Sequence, residues 1–396
     1  MSEADLVISG TGRLLRPEPY DGPLPWAIGI RGGRISSVSP LADAPAAERV
    51  DIGAGLVTPG LVDAHTHPCF LGDRSDEAAA RLAGHRYDGG GILRTVAATR
   101  AGSDDELRTA IVSRLGAALA AGTTTIECKS GYGLSTDEEL RSLRLIGEAA
   151  AQVPIRVVRT FLGAHAVPAE ATSVEAYAAL VVDEMLPAVA AAGAAEFCDV
   201  FCDEGFFPPD AAERILRAAA ALGLGIRLHA DQLTRLGGAE LATRLGAASA
   251  DHLEQLDAAG VAALAASRTV ATLLPGPALV LRGGLPPARA LLDAGVTVAL
   301  ASDANAGTFG AWGAMPLVIG LGATVLGMTV GEALTAATTG GAASLGLGDR
   351  RGFIGPGADA DLVAWDADHE GAFAFKLGTV RPVRTWIGGI PAWAAL

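Results

Sequence analysis

Cysteine pairs, basic runs and dinucleotide-binding glycines are what this sequence lacks. Its four cysteines, Cys69, Cys128, Cys198 and Cys202, form no Cys-x-x-Cys pair. A disulfide framework is therefore not encoded, and reduced thiols in a cytoplasm are expected, packed as small apolar side chains. The N-terminus, Met1-Ser-Glu-Ala-Asp5, carries acidic residues where a secretory leader would be basic and then apolar. No Lys/Arg run exceeds a pair and the formal net charge is −14, which argues against a nucleic-acid or anionic-membrane partner. Residues Ala304 to Gly331 lack charge, but Pro316 and repeated glycines interrupt them and nothing basic flanks them. They read as a loop and a buried helix, not a membrane span. No Gly-x-Gly-x-x-Gly follows an apolar run, which removes the dinucleotide fingerprint.

What is present is core. Half of the 396 residues are hydrophobic and 19% are charged, enough for a large folded unit. The opening segment is short strands: Asp5 to Ser9, then Trp26 to Arg31 and Arg34 to Val38 joined by Gly32-Gly33 as a hairpin. From Leu61 the rhythm becomes strand then helix. Ser103-Asp-Asp-Glu106, Ser135-Thr-Asp-Glu138 and Thr172-Ser-Val-Glu175 read as helix caps, and Gly122, Pro154 and Gly193 as stops. Pro208 starts a further helix that ends at Gly223.

The intervening strands are Leu61–Ala64, Thr123–Glu127, Ile155–Thr160, Phe197–Phe201, Ile226–His229, Ala248–His252, Thr269–Leu274 and Val296–Ala301. Eight such units favour an α/β fold closed as a (β/α)₈ TIM barrel over an open doubly wound sheet. From about Leu345 short strands return, with Gly388-Gly389 as a second hairpin turn. The simplest architecture joins the two ends in one small sheet beside the barrel. Residues 1–58 and 345–396 then make a small β-sandwich unit, and 59–344 the barrel.

The seven histidines test that reading. His65 and His67 end the first strand, two apart, so that both imidazoles point the same way. His165 follows the third strand, His229 ends the fifth and His252 the sixth; only His85 and His369 fall elsewhere. Asp303 ends the eighth strand. Chemistry in such barrels sits at the carboxyl ends of the strands. His65, His67, His229 and Asp303 therefore form a first shell for a divalent metal, Zn²⁺ or iron. Asp303 is also placed to accept a proton, and His252 to polarise a carbonyl or shuttle a proton. No lysine ends the fourth strand to bridge two metals, Glu204 being the nearest residue there, so one metal is expected.

These residues resemble the amidohydrolase superfamily, in Asp63-Ala-His-Thr-His67, the strand-five and strand-six histidines, Ser302-Asp-Ala-Asn305 and Gly357-Ala-Asp-Ala-Asp-Leu-Val-Ala-Trp-Asp366. Further segments resemble its imidazolonepropionase family. They are Phe70-Leu-Gly-Asp-Arg74, Glu127-Cys-Lys-Ser-Gly-Tyr-Gly-Leu134, Thr160-Phe-Leu-Gly-Ala-His-Ala-Val-Pro168, Leu228-His-Ala-Asp-Gln232, Ser249-Ala-Asp-His-Leu-Glu254 and Ser302-Asp-Ala-Asn-Ala-Gly-Thr308.

The resemblance implies hydrolysis of 4-imidazolone-5-propanoate to N-formimidoyl-L-glutamate by a metal-activated water, with one Zn²⁺, Fe²⁺ or Fe³⁺ per subunit of a cytoplasmic homodimer. It assigns the carboxylate tail of this small-molecule substrate to Arg74 and Tyr132. His165 would contact the ring or its oxygen, and Asn305, Gly307 and Thr308 would line the same pocket. The family carries Glu or Gln three residues after the strand-five histidine. Gln232 here is a neutral amide that orients substrate, which leaves proton transfer to Asp303 and His252. Two other readings share these features: another mononuclear amidohydrolase, such as a nucleobase deaminase, and a non-catalytic amidohydrolase-like scaffold. Arg74 and Tyr132 speak against the first and the complete ligand set against the second.

Overall fold

A computed structural model describes residues 4–16, 22, 24–84 and 91–395; His85 lies outside them. Five short strands come first: β1 Leu6–Gly10, β2 Trp26–Arg31, β3 Arg34–Pro40, β4 Glu48–Asp51 and β5 Val57–Pro59. The barrel strands follow as β6 Leu61–Asp63, β7 Thr123–Lys129, β8 Arg156–Ala164, β9 Phe197–Cys202, β10 Gly225–Ala230, β11 Ser249–His252, β12 Val270–Leu273 and β13 Val298–Leu300. The chain ends in β14 Leu362–Trp365, β15 Pro382–Ile387 and β16 Ile390–Ala394.

β6 to β13 pair in sequence order as one eight-stranded parallel sheet. A parallel bridge from Thr66 to Ala304, just beyond the first and last strands, closes the ring. The strands are buried along nearly their whole length, as parallel strands covered by helices must be. The helices begin where the caps place them. At Asp104–Ala120, Ser103 and Glu106 form both bonds of the capping box. At Thr136–Ala150, Ser135 accepts the Glu138 N–H.

The third cap sits one residue later than the sequence suggests, on Ser173, which accepts the Ala176 N–H. Its helix is not continuous either. It passes through a π-helical turn at Val181–Met185, where Pro187 has no N–H to continue the ladder. The uncharged stretch supplies the helix Met315–Thr324, most of it buried. Among the described residues no helix is long and apolar enough to cross a membrane.

The two ends do not join in one sheet. They form two four-stranded sheets, β3-β2-β1-β4 and β16-β15-β14-β5. The difference lies in β5, an N-terminal strand that leaves its own sheet to pair antiparallel with β14. Between the sheets lies a shared core of Ile8, Trp26, Ile28, Ile30 and Ile35 against Val57, Leu362 and Trp386. The path from this sandwich into the barrel runs through Gly60. A Cβ there would stand 2.1 Å from the Thr124 hydroxyl, so only glycine lets β5 run directly into β6.

Candidate active site

Closure of the ring assembles the centre. The Asp63 carboxylate accepts the Ser302 N–H at 2.9 Å and its hydroxyl at 2.6 Å. Asp303 N–H donates to the His65 carbonyl at 3.0 Å, and His67 N–H to the Ala304 carbonyl at 2.9 Å. These bonds bring Asp303 beside the first-strand histidines. Its Oδ1 stands 3.2 Å from His67 Nε2 and 3.6 Å from His65 Nε2, and the two Nε2 atoms are 3.2 Å apart.

The rings of His229 and His252 lie 4.5 and 5.5 Å from that of His65, centroid to centroid. The ligand atoms fall into three triads that share His65, each within 4.8 Å: one with His67 and Asp303, one with His229 and His252, and one with Asp199 and Asp251. Thus all five residues expected at the centre meet there, and His252 is as much a part of the cluster as His229. The backbone is left-handed at both His252 (φ +81°) and Asp303 (φ +47°), a strain that the surrounding hydrogen bonds hold in place. His369, by contrast, is on the surface.

Outward-facing nitrogens are held by buried carboxylates. His65 Nδ1 donates to Asp251 Oδ2 at 2.7 Å, and His229 Nδ1 stands 3.0 Å from Asp199 Oδ2. Such contacts fix the tautomer and turn the Nε2 lone pairs inward. Each carboxylate has its own buried cation. Arg227 lies 3.1 Å from Asp251, and Lys129 Nζ lies 2.7 Å from both Asp199 and Glu127.

Burial opposes the Lys129 charge, but Asp199 and Glu127 outweigh it and hold the ammonium above its usual range. Burial, then the Lys129 charge, pushes His65 well below the usual histidine range, so the ring is neutral. Burial works against ionised Asp303 too, yet the His67 contact and the other imidazoles keep its carboxyl below the usual range. Sequence reasoning missed this layer. Its signal is visible in retrospect: charged residues two apart inside apolar strands, Glu127 and Lys129 on β7, Arg227 and His229 on β10.

The centre passes a test for a divalent cation. The His65 Nε2 lone pair and the Asp303 carboxylate are both acceptors, buried and 3.6 Å apart, and such groups repel unless a cation satisfies them together. His67 Nδ1 is buried with no hydrogen-bond partner among the described residues, which adds to the donor capacity at hand. A nitrogen-rich set with one carboxylate suits zinc or iron and not magnesium or calcium.

A narrow cleft covers the centre, lined among others by Arg74, Tyr132, His165, Gln232, Asn305 and Thr308. His165 stacks on His67 with centroids 5.3 Å apart, and Tyr132 meets its edge at 5.1 Å. Nδ1 of His165 donates to the Gly131 carbonyl at 2.9 Å. Because burial drives this ring well below the usual histidine range, it is neutral, and Nε2 is an acceptor only.

Gln232 sits on a loop fixed from both sides. The Asp231 carboxylate accepts the N–H groups of Leu236, Gly237, Gly238 and Ala239; Asp203 accepts those of Leu233 and Thr234. Glu204 is exposed and does not line the cleft.

Arg74 is buried, and its guanidinium meets both Glu77 oxygens at 2.8 Å. Glu77 is shared with Arg81, which also donates to the Gly307 carbonyl at 2.8 Å. Two guanidiniums thus share one carboxylate beside the cleft. Glu77 and Arg81, three and seven residues after Arg74, escaped the sequence reading although that spacing lies along one helix face. Gly307 departs from expectation: it does not line the cleft but backs Arg74, whose Cζ would lie 2.4 Å from a Cβ added there. Asn305 closes the same turn, accepting from Gly307 and Thr308 N–H and donating to Asp303 O and the Thr308 hydroxyl. The four cysteines are buried and unpaired, and burial pushes the Cys69 thiol up to about 12, which fits packing and not reactivity.

A closed parallel barrel with this imidazole and carboxylate centre at its carboxyl mouth defines a class of hydrolase, and the Amidohydrolase family model matches residues 56–390, so the chain belongs to that family. Within it the chain is 47% identical to the imidazolonepropionase of Caulobacter vibrioides over 373 residues, 91% of this chain and 92% of that one. It is likewise 47% identical to the imidazolonepropionase of Rubrobacter xylanophilus over 366 residues, 89% and 88% of the two chains. These relatives place it among the imidazolonepropionases. Solved structures share the fold at lower identity. A 5-methylcytosine deaminase from Klebsiella pneumoniae superposes with a TM-score of 0.78 at 17% identity, covering 98% of both chains. An adenosine deaminase from Xanthomonas campestris with bound zinc superposes with a TM-score of 0.74 at 22% identity, covering 99% of this chain and 94% of that one.

Proposed function

We infer that this chain hydrolyses the ring C–N amide bond of 4-imidazolone-5-propanoate to N-formimidoyl-L-glutamate, a step of histidine degradation. The observation that carries this reading is one cleft holding an imidazole and carboxylate centre at its floor and the buried Arg74 at its wall. A flat cyclic amide with a propionate tail needs both.

His65, His67, His229 and Asp303 would hold one divalent ion per chain, zinc or iron. Such an ion acidifies a coordinated water from about 15.7 to roughly 7, so that hydroxide is supplied at neutral pH. Asp303 takes the proton of the attacking water and returns it to the departing ring nitrogen. His252, 3.5 Å from Glu254 on its outer side, polarises the ring carbonyl from its inner side. Gln232 carries no exchangeable charge and orients the ring by hydrogen bonds. His165, an acceptor at Nε2, takes a ring N–H and not the ring oxygen. Arg74 and Tyr132 receive the tail, with the Asn305–Thr308 turn supporting Arg74 from below. The proposal includes a homodimer in the cytoplasm, its subunit number read by sedimentation.

The direct test couples the purified protein to urocanase, which makes the unstable imidazolone in place, with and without a chelator. Formiminoglutamate should form, and chelation should abolish it while re-added zinc or iron restores it. An inert protein at full metal occupancy would overturn the substrate assignment. Arg74→Gln is expected to raise KM roughly tenfold to a hundredfold, the worth of a charge-assisted hydrogen bond of about 1.5–3 kcal/mol, with kcat much less affected. An unchanged KM would remove Arg74 from tail recognition.

A further inference from the structure

Glu139 lies in the first turn of the helix Thr136–Ala150 and is fully buried. A carboxylate there is costly unless its lone pairs are filled. Three main-chain N–H groups of one loop fill them. Gly133 and Leu134 both donate to Oε1 at 2.8 Å, and Gly131 donates to Oε2 at 3.0 Å. Converging backbone N–H groups of this kind make an anion nest, here occupied by the protein's own side chain.

The loop is shaped for that seat. Gly131 (φ +106°) and Leu134 (φ +53°) are left-handed. A Cβ on Gly133 would stand 2.6 Å from the Glu138 carbonyl carbon, so the loop rests directly on the helix. Arg100 secures the other polar side by donating to the Gly133 carbonyl at 2.6 Å.

The opposite face of the same loop is the cleft wall. It carries the Tyr132 ring, and the Gly131 carbonyl that fixes the His165 tautomer. Two groups that meet the substrate thus depend on four residues of backbone, three of whose N–H groups end on one carboxylate.

We propose that Glu139 is the positioning residue for substrate recognition: its carboxylate clamps the 131–134 loop from behind and thereby sets Tyr132 and His165 against the imidazolone ring and its tail. This rests on the function proposed above.

Glu139→Gln keeps the side chain's shape but can satisfy only one side of the nest. Its oxygen can serve Gly133 and Leu134, and its NH₂ then faces the Gly131 N–H, donor against donor. Glu138→Gln is the matched control, since Glu138 is next in the helix, pairs with Arg141 at 2.9 Å and, among the described residues, makes no side-chain bond to the loop. Three readouts are taken on the metal-loaded protein: kcat and KM for imidazolone propionate, the dissociation constant for imidazole propionate by calorimetry, and metal content.

Glu139→Gln is expected to raise KM and the dissociation constant together by about tenfold or more, with kcat within about threefold and metal content unchanged, the pattern of lost uniform binding. Glu138→Gln should match wild type. A wild-type KM in Glu139→Gln, or an equal rise in Glu138→Gln, overturns the proposal. If wild type neither binds imidazole propionate nor turns over the substrate, the functional reading has failed instead. Should Glu139→Gln not fold, hydrogen exchange on the wild-type protein decides: the Gly131, Gly133 and Leu134 amides should be protected like those of β7, and fast exchange there overturns the clamp.

Discussion

Replacing Asp303 with asparagine is expected to lower kcat by about 10²–10⁴-fold, the usual worth of a positioned proton carrier. The substitution is nearly isosteric. The main-chain bonds that place residue 303, from its N–H to His65 O and from Asn305 Nδ2 to its carbonyl, do not involve the carboxylate. What goes is the group that takes the water's proton, along with its charge beside His67. Metal content must be measured on the same preparation, because a carboxylate ligand removed can empty the site and silence the enzyme for a different reason. A variant that keeps its metal and turns over at close to the wild-type rate would refute proton transfer through Asp303 and move that role to His252.

The second large effect concerns stability. Lys129→Met leaves the Glu127 and Asp199 carboxylates in the barrel interior without the ammonium that lies 2.7 Å from each. Breaking a buried ion pair from one side costs about 3–5 kcal/mol, because the remaining charge is stranded, whereas removing the whole network can be neutral. The metal-free protein should therefore unfold at a distinctly lower urea concentration. Asp199 would also lose its hold on His229, and a disturbed outer contact of this kind weakens metal binding by about 10–100-fold. Adding Asp199→Asn to Lys129→Met should recover part of the stability but not the metal affinity. A single variant as stable as wild type would show that the carboxylates are neutral or hydrated in the folded protein.

These two residues were not equally visible. Asp303 stood out because it follows an apolar strand in Ser-Asp-Ala-Asn, as the histidines follow theirs. Lys129 lies inside Glu127-Cys-Lys-Ser-Gly-Tyr-Gly-Leu134, a matched segment in which the resemblance gives a substrate role to Tyr132 alone. An inward lysine in an apolar strand is intelligible only once its partners are known, and those come from β7 itself and from β9. Arg74 was similar. Its guanidinium is expected at the substrate tail, and the structure adds that Glu77 holds it and that Arg81 shares Glu77. The joining of the two chain ends was seen, but not the transfer of β5 to the C-terminal sheet. A three-residue strand carries too little pattern to declare its neighbour.

Local regularities decided what the chain alone could specify: strand–helix alternation, caps written in Ser-x-x-Glu, and histidines at strand ends. These depend on residues within a few positions of one another, where geometry is set by the backbone's own repeat. The tertiary structure alone decided how the ring closes, which cations balance which buried carboxylates, and which loop Glu139 holds. Hydrogen bonds and Coulomb forces act through space, and Asp63 finds Ser302 across 239 residues of chain. Only the folded barrel brings them within reach.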